Sequence, residues 1–325
     1  MSIFTKISGF GHFLPKKTYS NDDLSKIVDT SDEWIFSRTG IKQRHIANKQ
    51  ELTSSLAIEA AQDAILSSNF DIKKIECVIV ATTTPDNTFP STATKVQKFF
   101  GLNDIPSFDV QAVCAGFVYA INIAESLMLS RRFNKALVIG AEVFSKILDW
   151  EDRSTCVLFG DGAGAVILEK SNSPGWGILT TNIHSDGDYI DILQTDGGPA
   201  TTAQVGKVRM NGKEVFKHAI EKLSSCSEEA LKEISMPIEE IDYVIPHQAN
   251  ERILDGISKK LNISENKIIK TVNLHANTSA ASIPLAMNYA FDKGIIKNGH
   301  ILLIQAIGAG LSWGASIIKL GKPNT

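Results

Sequence analysis

The chain has 325 residues, 43% hydrophobic and 21% charged, with 33 Lys and Arg against 36 Asp and Glu and a formal charge of -3. This balance supplies ample core and excludes disorder as the main state, and it argues against nucleic acid as a partner because basic residues are outnumbered and scattered. No stretch reaches the roughly 18 to 20 apolar residues of a membrane span, and Cys77, Cys114, Cys156 and Cys226 form no C-x-x-C pair, which argues against a zinc site or a disulfide framework.

The opening MSIFTKISGFGHFLPKK lacks the apolar centre and small-residue cleavage site of a signal peptide, so a cytoplasmic chain is expected. TSSLAIEAAQDAILSSN predicts a helix capped by Thr53 or Ser54, with Leu56, Ala60 and Ala64 on one face. CVIVATT, starting at Cys77, is continuously apolar before its threonines and predicts a strand covered on both faces. In DVQAVCAGFVYAINIA (109 to 124) Cys114 stands between a strand-like run and a helix expected to begin at Ala115, with Phe117, Ile121, Ala124 and Met128 at helical spacing. KALVIGA (135 to 141) predicts another covered strand. GDGAGA (160 to 165) echoes a dinucleotide-binding loop but leads into VILEK, a strand rather than a helix, so a tight turn is expected.

SNSPGWGI (171 to 178) has the composition of a junction, dividing the chain into halves 1–172 and 173–325. Beyond it, His184 and Asp186 offer two metal ligands with no third in view, so no metal is expected. KEVFKHAIEKLSSCSEEALKEI predicts a long amphipathic helix, and YVIPH and ILLIQAIG predict covered strands. The strand in DYVIPHQANERI ends in His247, Gln248 and Asn250, and VNLHANTSAASIP carries Asn277 before a run of small residues.

The halves repeat. AILSSNFDIKKIECVIV (64 to 80) aligns without a gap on ALKEISMPIEEIDYVIP (230 to 246), 166 residues later, and KALVIGA on HILLIQA (300 to 306) at a spacing of 165. Both then run through a Gly-rich stretch into a last strand, so one αβ unit is written twice and an α/β fold of layered sheets and helices is expected.

Cys114 admits two readings. At a helix start, free backbone N–H groups and the positive helix end favour a thiolate, the form that attacks carbonyls. A free cysteine is equally at home as a small buried hydrophobe. The duplication points to the equivalent strand ends of the second half for partners, where His247 and Asn277 stand.

These residues resemble the β-ketoacyl-acyl-carrier-protein synthase III enzymes of the thiolase superfamily. The resemblance runs from TSDEWIFSRTGIKQRHIA through VCAGF, FGDGAGA, NGKEVFKHA, PHQANERI and ANTSAASIP to SWGA. It implies a thiolase-like duplicated five-layered αβαβα fold and a catalytic set of Cys114, His247 and Asn277, with an oxyanion hole from the N–H groups of Cys114 and Ala309. It implies coenzyme A contacts at Thr30, Trp34, Arg38, Arg153, Gly212 and Asn250, where an aromatic face and a guanidinium suit a purine. Lys217, Arg252, Lys259 and Lys260 become candidates for steering an acidic carrier protein, and Phe89 for reaching into the partner's acyl pocket of a homodimer.

The implied reaction starts type II fatty acid synthesis. An acyl-coenzyme A, acetyl by default, acylates Cys114, and malonyl-acyl-carrier-protein condenses with the acyl group as carbon dioxide leaves. Acyl-coenzyme A is a substrate and no cofactor is expected; neither nucleic acid nor membrane insertion enters. Ala276 and Ala309 stand where the family often has glycine, and Lys213 where it often has asparagine. A related Cys-His-Asn acyltransferase of specialised metabolism is the alternative, and it is the one that would turn over fully on malonyl-coenzyme A without carrier.

Overall fold

The computed structural model describes residues 4–130 and 132–321. Strands β1 (Phe4–Phe13), β2 (Cys77–Ala81), β3 (Ser107–Val110), β4 (Lys135–Glu142) and β5 (Gly162–Ser171) form one sheet in the order β1-β5-β4-β2-β3. Strands β6 (Gly177–Ser185), β7 (Tyr243–Pro246), β8 (Ile301–Gly308) and β9 (Ser312–Lys319) form a second in the order β7-β8-β9-β6. Both sheets follow one plan. β2 with β4, and β7 with β8, are parallel; the next two pairings of each sheet are antiparallel. A counterpart of β3 is reduced to one parallel bridge between Val244 and Ile268.

The helices of eight or more residues are α1 (Asp32–Thr39), α2 (Thr53–Ser68), α3 (Thr92–Phe100), α4 (Gly116–Leu129), α5 (Gly212–Glu233), α6 (Glu251–Lys260) and α7 (Ser282–Asp292). They explain the continuous apolar strands, because each sheet is covered twice. Val78 and Val80 of β2 pack outward with Leu56 and Ala60 of α2. Ile79 between them packs inward with Phe117 of α4 and Met287 of α7. In the second sheet Leu302 and Ile304 face that same middle layer, while Leu303 packs with Leu223 of α5 and Ile253 of α6. The result is the five-layered αβαβα arrangement of a thiolase-like fold.

Small residues set the approach of the two halves. A Cβ on Gly140 of β4 would fall 2.3 Å from the carbonyl oxygen of Ala280, and one on Gly116 would fall 3.5 Å from the Ala280 Cβ. Early residues also cross over: Leu24, Ile35 and Ile41 are buried with α5 and α6, which brings α1 onto the second half.

The cap of α2 differs from the expectation. Leu52 is the N-cap residue, because the Thr53 hydroxyl donates to the Thr84 carbonyl at 2.5 Å and Ser54 binds Asp86 through its N–H at 2.9 Å. The two hydroxyl residues tie the helix to the loop after β2 instead. GDGAGA behaves as a turn into β5, with Asp161 buried and accepting from the Ala47 and Ser145 amides at 2.7 and 2.8 Å. His184 and Asp186 are engaged by Glu229 at 2.8 Å and Lys222 at 3.6 Å. Among the described residues no group of three or more His, Cys, Asp or Glu gathers as a metal site, and no helix is long and apolar enough to cross a membrane.

Candidate active site

Strand β3 runs into a 3-10 turn, Val113–Ala115, and α4 begins at Gly116, one residue later than expected. Val113 turns the chain with φ of 48°, a region that a β-branched residue occupies only under strain. The turn places Cys114 at the foot of α4 with only 4% of its surface exposed. Burial pushes its thiol up to about 12, while the Ser279 hydroxyl works in the opposite direction. The thiolate expected at a helix start is therefore not the resting form. Removing the charged sulfur from water costs more than the helix end and one hydroxyl return.

His247 and Asn277 come from the second half. The His247 amide donates to the Gln305 carbonyl at 2.7 Å, fixing the end of β7. Its Nδ1 lies 2.6 Å from the Ser282 hydroxyl, at the start of α7. That hydroxyl also accepts from the Gln248 amide at 3.4 Å; when it gives its proton to Nδ1, the imidazole carries its own proton on Nε2. Burial lowers the imidazole to about 3, keeping it neutral. Ser282→Ala removes this tautomer selection and is expected to slow malonyl decarboxylation roughly tenfold with little change in acyl-enzyme formation. Measured separately, equal rates in both half-reactions would refute the orienting role.

Asn277 is held by its backbone, whose N–H donates to Leu158 O at 3.0 Å while its carbonyl accepts from the Gly160 amide at 2.9 Å. Its Oδ1 accepts from the Ser279 amide at 2.9 Å, which leaves the Nδ2 hydrogens as the free donors. Ala276, one of the departures from the family pattern, has φ 57° and ψ -159°, a region nearly reserved for glycine. Relief of ~1–3 kcal/mol of strain should balance the ~0.5–1 kcal/mol entropy cost of glycine and the ~0.8 kcal/mol of one buried methyl. Ala276→Gly is thus expected to unfold within about 1 kcal/mol of the wild type, and a loss above about 2 kcal/mol by denaturant titration would contradict the strain.

Cys114, His247 and Asn277 line one cavity of about 390 Å³. Trp34, Arg38, Gly212 and Asn250 line it as well. Arg38 lies 4.5 Å from the Trp34 ring and Arg153 lies 5.1 Å from it, so Arg153 covers the ring against which adenine is expected. At that separation no purine fits between them, and Arg153, bonded to Asp29 O at 2.9 Å, has to swing outward for one to enter. Thr30 does not line the cavity; its hydroxyl is buried without a partner among the described residues. Asn250 caps α6 by accepting from the Ile253 amide at 3.0 Å, leaving its NH2 for a ligand. Lys213 stands on the lining as well.

Ala309 lines not this cavity but a second one of about 370 Å³, together with Ala112, Val113, Phe144 and Leu193. It is not among the residues with positive φ, so its Cβ meets no conformational obstacle. The chain before it passes close to the nucleophile: a Cβ on Gly308 would lie 2.7 Å from the Cys114 amide nitrogen. Lys217 on α5 and Arg252, Lys259 and Lys260 on α6 are exposed on neighbouring helices, and Arg252 packs 5.6 Å from the Phe216 ring. Phe89 is 82% exposed. Cys77, Cys156 and Cys226 are free and buried.

Sequence reasoning missed Ser279, Ser282 and Glu142. The two serines lie within the run of small residues after Asn277, where a hydroxyl reads as helix packing. Glu142 carried a signal, since it is an acidic residue closing the apolar run ALVIGA of its strand.

The chain matches the family models 3-Oxoacyl-[acyl-carrier-protein (ACP)] synthase III over residues 108–187 and its C-terminal counterpart over residues 231–320. It is 54% identical over 309 residues to the beta-ketoacyl-[acyl-carrier-protein] synthase III of Wolbachia pipientis wMel, covering 95% of this chain and 96% of that one. The crystal structure of 3-oxoacyl-[acyl-carrier-protein] synthase III from Aquifex aeolicus VF5 superposes with a TM-score of 0.92 at 44% identity, covering 97% of this chain and 99% of that one. The priming beta-ketosynthase from the R1128 polyketide biosynthetic pathway superposes with a TM-score of 0.93 at 30% identity, covering 99% and 97%.

Proposed function

The chain belongs to the 3-oxoacyl-[acyl-carrier-protein] synthase III family, and from that premise we propose how its residues divide the reaction and which molecules it takes. It is an acyltransferase that initiates fatty acid synthesis by condensing an acyl primer with malonyl-acyl-carrier-protein. In our reading Cys114 takes the acyl group from acyl-coenzyme A, acetyl by default, and the N–H groups of Cys114 and Ala309 receive the oxyanion of the tetrahedral intermediate. Malonyl-acyl-carrier-protein then loses carbon dioxide, and the enolate oxygen accepts hydrogen bonds from His247 Nε2 and Asn277 Nδ2. The carbanion attacks the acyl-cysteine, giving 3-oxoacyl-acyl-carrier-protein and a Cys114 thiolate, which takes up one proton from solvent to restore the thiol.

The observation that carries this reading is the meeting of Cys114, His247 and Asn277 in one cavity, with the two neutral donors free on their cavity side. Exposure to acetyl-coenzyme A followed by intact-mass analysis and mapping of the modified residue tests it. Acetyl on Cys114 is expected, and acetyl on another residue, or none, defeats it. Coenzyme A enters as part of the substrate, without a cofactor, along Trp34, Arg38, Gly212 and Asn250, with Thr30 and Arg153 beside the entry.

Three finer readings accompany this. Lys217, Arg252, Lys259 and Lys260 steer the acidic carrier, supported by their exposure and by Arg252 lining the cavity. Charge reversal there should raise KM for the carrier substrate and flatten its salt dependence; an unchanged salt slope removes the assignment. The protein works as a homodimer in the cytoplasm, built from halves 1–172 and 173–325, with Phe89 reaching into the partner's acyl pocket. A ring 82% exposed to water supports that contact, and a monomer at micromolar concentration in sedimentation would contradict it.

A further inference from the structure

Behind the nucleophile lies a carboxyl group with no part in the chemistry so far. Glu142 closes β4 and is wholly buried. Its oxygens accept from the Thr83 and Thr84 amides, each at 3.1 Å, from the Thr84 hydroxyl at 2.5 Å and from the Thr82 hydroxyl at 3.3 Å. The Ser279 hydroxyl reaches Oε1 at 3.1 Å from the opposite half. Among the described residues no basic side chain forms an ion pair with it. The same Ser279 hydroxyl acts on the Cys114 thiol, and Glu142 is close enough for its charge to raise that thiol further. Ser279 itself has φ 49°, its amide is spent on Asn277 Oδ1 at 2.9 Å and its hydroxyl on the carboxyl, and its turn packs against the Val113–Ala115 turn that carries the sulfur.

One hydroxyl proton serves two neighbours, and it can point only one way at a time. With Glu142 ionised, Ser279 donates to Oε1 and its lone pair faces the Cys114 S–H. With Glu142 protonated, the carboxyl donates to Ser279, which turns its proton to the sulfur and stabilises a thiolate. We propose that Glu142, acting through Ser279, is the proton acceptor that converts the Cys114 thiol into the attacking thiolate. This rests on the reading of Cys114 as the acylated residue. The S–H bond breaks as its proton passes to Ser279 Oγ, which gives its own proton to Glu142 Oε1. Negative charge moves from carboxylate to sulfur, and nothing is oxidised or reduced. After the S–C bond forms, the coenzyme A thiolate leaves and regains the proton by the reverse path, so the half-reaction ends with neutral CoA–SH and an ionised Glu142.

Burial supports the role by lifting the carboxyl to about 7 against its hydrogen bonds, which makes both forms accessible at neutral pH. Cys114 is the titratable group that faces it from the turn before α4; the end of β2 and the turn at Ser279 present hydroxyls and amides, and His247 is turned to Ser282. Glu142 is a positioning residue by this account, because it reaches the substrate only through Ser279.

The test uses the full-length protein and follows acyl-enzyme formation, malonyl decarboxylation and alkylation of Cys114 by iodoacetamide between about pH 5 and 9. Wild-type alkylation should rise with pH and level off above an inflection near neutrality, where the carboxylate form is complete. Glu142→Gln and Ser279→Ala should lose the inflection, rising without a plateau, and should lower the ratio of acylation to decarboxylation about 10²-fold. Glu142→Asp should recover part of that ratio. Unchanged alkylation profiles overturn the proposal, as does an equal fall of both half-reactions, which would leave Glu142 as a mere anchor for Thr82–Thr84. Should Glu142→Gln fail to fold, Ser279→Ala, which spares the other four donors, decides alone. Wild-type protein that is never acetylated at Cys114 is a different result, and it strikes the nucleophile assignment instead.

Discussion

Cys114→Ser is expected to form no detectable acyl-enzyme from acetyl-coenzyme A and to lose about 10⁴-fold or more of condensation activity, the scale on which removing a covalent nucleophile acts. Serine keeps the turn Val113–Ala115 and the small volume at the foot of α4, so folding should survive. It fails for a chemical reason. The thiol is already pushed up to about 12 by burial, and a hydroxyl starts several units weaker as an acid, so the same base leaves it far less ionised. Decarboxylation of malonyl-acyl-carrier-protein should continue, because its donors lie on the other half. A serine variant that still condenses without forming any acyl-enzyme would mean that no covalent intermediate is needed.

The second large effect concerns those donors. His247→Ala and Asn277→Ala should each slow decarboxylation about 10²- to 10³-fold, the usual loss for one hydrogen-bond donor to a developing oxyanion. The double variant should fall short of the product of the two, since both act on one enolate oxygen. Acyl-enzyme formation should change far less in either. The pH behaviour separates two roles for His247. As a neutral donor with its titration lowered to about 3, it gives decarboxylation no acid limb between about pH 5 and 8, whereas a base titrating near its ordinary 6.5 would give one. Stability carries the opposite signature. The unfolded chain takes up this proton near 6.5 and the folded chain only near 3, so stability should fall as pH drops through that window. His275, lowered to about 4 by burial, adds to the same acid loss.

Much of this was legible in the chain. Continuous apolar runs at Cys77, Lys135, Tyr243 and Ile301 gave strands covered on both faces, and their repetition at 166 residues gave the duplicated sheets. Cys114, His247 and Asn277 were legible by kind and by motif, and the cavity collects them. What escaped depends on three-dimensional neighbours. No local rule shows that the Thr53 hydroxyl serves Thr84 rather than the end of its own helix. The helix-start argument for a low thiol pKa was sound as far as it went, but burial is not visible from residue order. Arg153 could be assigned to adenine by resemblance, yet its position over Trp34 comes from Asp29, 124 residues away. The strain at Ala276 shows only once φ and ψ are known.

The near-contact of Gly140 and Gly116 with Ala280 works like a gauge block. Nucleophile and donors ride on separate sheets, and the thickness of the seam at these small residues decides whether their atoms meet. A displacement of about 1 Å there can cost roughly 10² in rate while each sheet keeps its own pairing. Enlarging Ala280 would leave a well-formed protein whose two working parts no longer share a focus.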